Sequence, residues 1–167
     1  MAELNTLPRA DFIQKAGSIF EHSPWIAEAV ADRRPFSDVN ALHSAMILAI
    51  TSAAAAQHLA LIRAHPDLAG RLASQKLLTP ESSREQAAAG ITQGDPASLA
   101  QMTALNEAYR SRFGFPFVIC ARLNNVSTII SAMTLRLTHS SDEEISAALE
   151  EIFQIALLRL DDMVTEA

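Results

Sequence analysis

The sequence predicts an all-α protein, a single compact bundle of about seven or eight helices spanning residues 1–167. Three observations predict it. Glycine is scarce, with only 5 in 167 residues. No run rich in Val, Ile and Thr alternates strictly between apolar and polar positions. Ala, Leu, Glu and Gln, which lose little on entering a helix, fill long uninterrupted windows. With 49% apolar and 19% charged residues the chain is too apolar for a disordered tail. It is long enough to bury roughly two thirds of the surface that its unfolded form exposes. No repeat of about 20 to 50 residues and no low-complexity linker divides it.

Taken in order, Pro8 opens a helix running toward Phe20. Ser23-Pro24 reads as a cap followed by a first-turn proline, and that second helix ends near Arg34-Pro35. From about Asn40 to Ala64 the chain is apolar nearly all round, which predicts one long helix at the centre of the bundle. Thr79-Pro80-Glu81 supplies a cap, a proline and an acid for a short helix that Gly90 stops. Asp95-Pro96 begins a helix reaching about Arg112, and Asn124 or Asn125 opens one toward His139. Ser141 and Glu144 form a capping box for the final helix, which runs to about Val164. Phe113 to Ala121, interrupted by Gly114 and Pro116, is the only stretch that reads as extended.

Composition excludes several functions. Thirteen Lys and Arg against 19 Asp and Glu give a formal charge of -6, so no basic field exists to hold nucleic acid. A lone cysteine, Cys120, rules out an intramolecular disulfide and a cysteine-rich zinc site. His22, His43, His58 and His139 make no paired metal spacing, so no metal site is expected. Met1 to Pro8 lacks the pattern of an export signal, and Ala45 to Ala56, about 18 Å of helix, is too short for a bilayer. Thr165-Glu166-Ala167 is not a peroxisomal ending. A soluble, cytoplasmic protein that inserts in no membrane is therefore expected. Serine-hydrolase, phosphate-loop and dinucleotide fingerprints do not occur.

Four places break the ordinary pattern of a bundle. On the last helix Ile145, Leu149, Ile152, Ala156, Leu160 and Met163 fall within a sector of about 80°, and Arg159 lies about 20° outside it. A guanidinium there either meets a partner acid or snorkels to the edge, or it is kept to hold a substrate carboxylate or an oxygen-rich ring by a two-pronged hydrogen bond. His65 is pinned at a helix end because Pro66 pushes the residue before it out of helical geometry. The carbonyl-rich terminus favours an imidazolium and suits a proton donor, although an ordinary loop histidine reads the same way. Ser82, Glu85 and Gln86 share one helical face, where hydroxyl, carboxylate and amide converge, unless Ser82 and Glu85 are merely a capping box. The extended strip carries backbone groups that neighbours, water or a ligand must satisfy, so it is either a hydrophobic connector or a reader of a flat polar ring. Within it Cys120 reads as a small buried hydrophobe or a reactive thiol.

Six motifs occur in series: Phe20-Glu21-His22-Ser23-Pro24-Trp25, His65-Pro66-Asp67-Leu68-Ala69-Gly70, Ser82-x-x-Glu85-Gln86, Asn106-Glu107-Ala108-Tyr109, Phe113-Gly114-Phe115-Pro116-Phe117-Val118-Ile119 and Leu158-Arg159-Leu160. Together they resemble the 2-oxo-4-hydroxy-4-carboxy-5-ureidoimidazoline (OHCU) decarboxylases of urate degradation, over about Pro8 to Val164. The resemblance implies a lyase of purine metabolism that needs no cofactor and releases (S)-allantoin after stereospecific protonation. It makes His65, Glu85 and Arg159 the catalytic set. It places Pro66, the stretch Ser82, Ser83, Arg84, Glu85 and Gln86, and the strip Phe117, Val118, Ile119, Cys120 and Ala121 against substrate. The partner it implies is the small-molecule substrate OHCU, and it implies a homodimer. The reading requires imidazole, acid and guanidinium to converge on one small cavity. The rival is a non-catalytic helical module that binds a metabolite or a partner helix.

Overall fold

A computed structural model of the chain describes residues 1–69 and 78–165. Gly70 of the His65 motif and the terminal Glu166 and Ala167 lie outside the described residues. The all-α expectation holds. Nine α-helices are described: α1 Ala2–Thr6, α2 Arg9–Ala16, α3 Trp25–Val30, α4 Val39–Thr51, α5 Ala55–Ala64, α6 Pro80–Ala88, α7 Pro96–Phe113, α8 Val126–Arg136 and α9 Ser141–Thr165, with 3-10 turns at Ala31–Arg33, Ile91–Gln93 and Ala121–Leu123. The described residues form two compact units, Met1–Ala64 with Phe153–Ala167, and His65–Ile152.

In the first unit, α3 packs against α4 and α2 packs against α3. Phe12, Ile26, Leu42, Met46 and Ile50 are wholly buried. Helix α1, which the sequence reading did not anticipate, is tied down by two reciprocal bonds, the Asn5 amide donating to the Phe36 carbonyl at 2.8 Å and accepting from its N–H at 2.9 Å. Arg34 donates to the Leu7 and Ala31 carbonyls and lies over the Phe12 ring. The helix expected from Pro8 to Phe20 stops at Ala16, where Gly17 and Ser18 turn the chain and Ser18 donates its hydroxyl to the Lys15 carbonyl. Ser23 does not cap α3 through its side chain: Pro24 holds the N-cap position, and Ser23 contributes its carbonyl to the Ile26 N–H.

The single central helix expected over Asn40–Ala64 is two helices, bent by 120° at a short break. No proline or glycine makes that break. Thr51 turns its hydroxyl back onto the Ile47 carbonyl, the Gln57 side chain accepts the Ala54 N–H, and the His58 ring bonds the Ile50 carbonyl at 2.8 Å. Polar side chains thus satisfy the orphaned groups of two helix ends. Nor is the segment buried all round: Leu48 is 52% exposed, and in α5 only Leu61 and Ile62 are buried. Among the described residues no single helix is long and apolar enough to cross a membrane.

In the second unit the local signals placed the helices well. Thr79 accepts the Ser82 N–H with Pro80 in the first turn, and Gly90 follows α6 at φ 74°. Asp95 accepts the Ala97 and Ser98 N–H groups, and Gly114 ends α7 at φ 73°. A side chain is disfavoured at both glycines because their backbone is left-handed. Asn125 and Thr128 form a capping box for α8, which packs against α7 and ends at Arg136 rather than His139. The box for α9 sits one residue earlier than expected. Ser140 and Glu143 make it, with the Ser140 N–H donating to Glu143 at 2.8 Å. Glu144 has turned inward and is fully buried. Along α9 Leu149, Ile152, Ala156 and Leu160 are buried as expected, while Ile145 and Met163 are half-buried.

Candidate active site

His65 follows the last residue of α5 and is only 6% exposed. The turn after Pro66 is held at each of its next three residues. Gln86 donates to the Asp67 carbonyl at 3.4 Å and accepts the Ala69 N–H at 3.1 Å. Asn106 donates to the Leu68 carbonyl at 2.8 Å, and Arg110 pairs with the Asp67 carboxylate at 2.9 Å. Ala69 stands at φ 50°, a left-handed conformation that costs an alanine about 1–2 kcal/mol. The bonds from α6 and α7 offset that strain and keep the turn beside His65 in one shape.

Helix α6 turns Ser82 and Gln86 inward, at 5% and 3% exposure, and leaves Glu85 half-buried. Ser83 and Arg84 lie on its outer side, where Arg84 pairs with Glu81 at 3.5 Å. The inward face is therefore the one that the spacing of three and four predicts. The helix packs on the 3-10 turn Ala121–Leu123. Burial pushes the Cys120 thiol up, and the carboxylates of Glu151 and Glu85 add to the shift, so the neutral thiol is favoured over the thiolate.

Phe117, Val118, Ile119, Cys120 and Ala121 are all buried, and 114–120 form neither helix nor strand. Side chains satisfy part of this backbone. Arg136 Nη1 donates to the Val118 carbonyl at 2.8 Å, the Cys120 N–H donates to Glu151 at 2.8 Å, and Asn124 donates to the Cys120 carbonyl at 3.0 Å. Arg136 belongs to a buried network. Glu144 accepts from the Tyr109 hydroxyl and from Arg136 Nε and Nη2, and its other oxygen bonds His139 Nδ1 at 2.9 Å. Burial first, and the neighbouring Glu144 second, raise the Tyr109 phenol above its ordinary value, so it stays a donor. Tyr109 meets the Phe117 ring edge-on at 5.3 Å, and the Arg136 guanidinium lies 4.4 Å over the same ring.

Arg159 belongs to the first unit. Its Nη2 donates to Glu21 at 3.1 Å and its Nη1 to the Ile19 carbonyl at 3.2 Å, with both side chains buried. The partner acid allowed by the pairing reading is Glu21, which lies in the first of the six motifs. Sequence reasoning missed it as a partner, as it missed Asp67, Arg110, Arg136 and Glu144. A signal existed for Arg136, which follows Ile129 and Met133 at apolar helical spacing just as Arg159 follows Ile152 and Ala156. No comparable sign marked Asp67 or Arg110.

No group of three or more His, Cys, Asp or Glu able to hold a metal occurs among the described residues. An open groove of about 550 Å³, bordered by Gly90, Gly94, Asp95, Ser98, Val126 and Ser131, contains none of the predicted site residues.

Residues 5–161 match the family model for OHCU decarboxylase. The chain is 41% identical over 160 residues to the 2-oxo-4-hydroxy-4-carboxy-5-ureidoimidazoline decarboxylase of Haloferax volcanii, covering 96% of this chain and 93% of that one. It is 40% identical over 164 residues to the enzyme of the same name from Amia calva, covering 98% and 94%. Its fold is similar to a crystal structure of (S)-allantoin synthase, with a TM-score of 0.77 at 30% identity; the match takes in 97% of this chain and 53% of that one.

Proposed function

The chain belongs to the OHCU decarboxylase family, its reaction is the decarboxylation of OHCU in urate degradation, and we propose that His65, Glu85 and Arg159 carry that reaction. The observation that supports this reading best is the bracing of the His65 turn by Gln86. It ties the turn after the imidazole to the helix that carries the acid, and Pro66 stands in that same turn.

The substrate's own structure supplies the electron sink. When the carbon–carboxylate bond breaks, the electron pair passes into the adjacent carbonyl and imine system as carbon dioxide leaves, so the reaction needs no cofactor. The resulting planar intermediate must receive a proton on one face to give (S)-allantoin. His65 supplies that proton, Glu85 hydrogen-bonds the hydroxyl or ureido nitrogen, and Arg159 orients an anionic or carbonyl group. Pro66, the stretch Ser82 to Gln86 through its inward Ser82, Glu85 and Gln86, and the strip Phe117 to Ala121 contact the substrate, while Ser83 and Arg84 lie on the outer side of that stretch. We extend the proposal to residues 1–167 acting as one catalytic domain, as a homodimer in the cytoplasm.

The test generates OHCU from urate with the upstream oxidase and hydrolase, then follows its ultraviolet decay and the optical rotation of the allantoin. Acceleration with a one-handed product is expected. The uncatalysed rate with racemic product would leave a metabolite-binding module in place of an enzyme.

A further inference from the structure

We propose that Arg136, held by Glu144, is a positioning residue for this reaction: it fixes the Val118–Ile119 peptide plane and so aims the Ile119 N–H at the substrate. The inference rests on the reading of Phe117–Ala121 as a substrate-contacting strip.

Arg136 is 7% exposed and Glu144 is not exposed at all. A buried ion pair contributes little net stability, and apolar side chains of the same volume commonly serve the fold as well. What this pair does is geometric. Two arms of the guanidinium are spent on Glu144, and the third reaches the Val118 carbonyl at 2.8 Å. The same guanidinium covers the Phe117 ring, and Tyr109, bonded to the same carboxylate, packs against that ring edge-on. One carboxylate thus controls two consecutive residues of the strip through two side chains.

The peptide bond transmits this hold. Its C=O and the following N–H lie in one plane and point opposite ways, so a carbonyl drawn toward Arg136 sends the Ile119 N–H away from it. That N–H sits on a residue 6% exposed and donates to no acceptor among the described residues. Its neighbour, the Cys120 N–H, is already engaged by Glu151. A buried donor left over in this way suits an oxygen of a flat polar ring.

The double variant Arg136→Met/Glu144→Gln removes both charges at once, keeps an acceptor for Tyr109 and leaves a thioether on the Phe117 ring. It is expected to melt cooperatively with wild-type helicity, to raise KM for OHCU about tenfold with a smaller change in kcat, and to lose the shift of the Ile119 amide resonance on titration with (S)-allantoin. Arg136→Lys, which keeps the ion pair with one ammonium in place of the fork, should fall between wild type and the double variant. A folded double variant with wild-type KM and an unchanged Ile119 response overturns the proposal. If the double variant does not fold, Arg136→Lys decides, and wild-type KM with a wild-type Ile119 response overturns it. Wild-type enzyme that leaves the OHCU decay unaccelerated overturns the functional reading instead, while the (S)-allantoin titration still reads the Ile119 amide.

Discussion

Glu21 and Arg159, 138 residues apart in the chain, form an ion pair in which both side chains are buried, with 3.1 Å between nitrogen and oxygen. Removing one partner takes the counter-charge from the other, and breaking a buried ion pair in this way costs about 3–5 kcal/mol. Arg159→Met is therefore expected to lower the urea midpoint sharply as well as to weaken substrate binding. Glu21→Gln/Arg159→Met should recover most of the stability without recovering activity. A single Arg159→Met variant as stable as wild type would show that the pair is not a compensating one.

His65 is more deeply buried than a loop histidine, so its removal has two effects. His65→Ala should lower kcat by about 10²–10⁴, the range that a general acid contributes. It should also lower stability by about 1–3 kcal/mol through a partner left behind, while circular dichroism stays wholly helical. OHCU decay measured against the uncatalysed rate checks the first effect, and denaturant titration checks the second.

Thr79 starts the helix that carries Glu85 by accepting the Ser82 N–H. Thr79→Ala should cost about 1 kcal/mol, and Thr79→Ser almost nothing, since either hydroxyl can cap. Hydrogen exchange should localise the loss: amides of Ser82 to Ala88 exchange faster in the alanine variant while those of α7 do not.

Acid sensitivity has a named contributor in Asp95. Its carboxyl is held below the ordinary value of 3.8, first by the Ser98 hydroxyl and then by the Ser98 and Ala97 N–H groups. A folded-state value below the unfolded one means that the stabilisation is complete above the unfolded value and is lost as pH falls through the folded one. Asp95→Asn, which still accepts at the cap but does not titrate there, should flatten the fall in melting temperature below about pH 4. An equally steep fall in both proteins would assign the acid sensitivity elsewhere.

The helix starts at Thr79, Asp95 and Asn125 were legible because a cap is decided within four residues. The break between α4 and α5 was not, since it depends on Gln57 and His58 reaching back to Ala54 and Ile50 rather than on a helix-breaking residue. Glu144 was misread as a cap for a related reason. Its spacing from Ser141 fits a box, but Arg136, Tyr109 and His139 draw the carboxylate inward, and only the fold brings those three together. For the site, periodicity singled out His65, Glu85 and Arg159 as residues out of keeping with their surroundings. It was silent on what grips Arg159 and the turn after His65, because Glu21, Asn106 and Arg110 come from remote parts of the sequence.

The division of the chain has a consequence for biosynthesis. Residues 65–152 are contiguous, so every partner within that segment has been synthesised by the time Ile152 is added. The first unit is split, and Arg159 is made 138 residues after the Glu21 carboxylate that it pairs with. A ribosome paused before residue 159 therefore carries a chain whose Glu21 has no Arg159 to meet, so this ion pair cannot be buried until that arginine has been added and has left the ribosome.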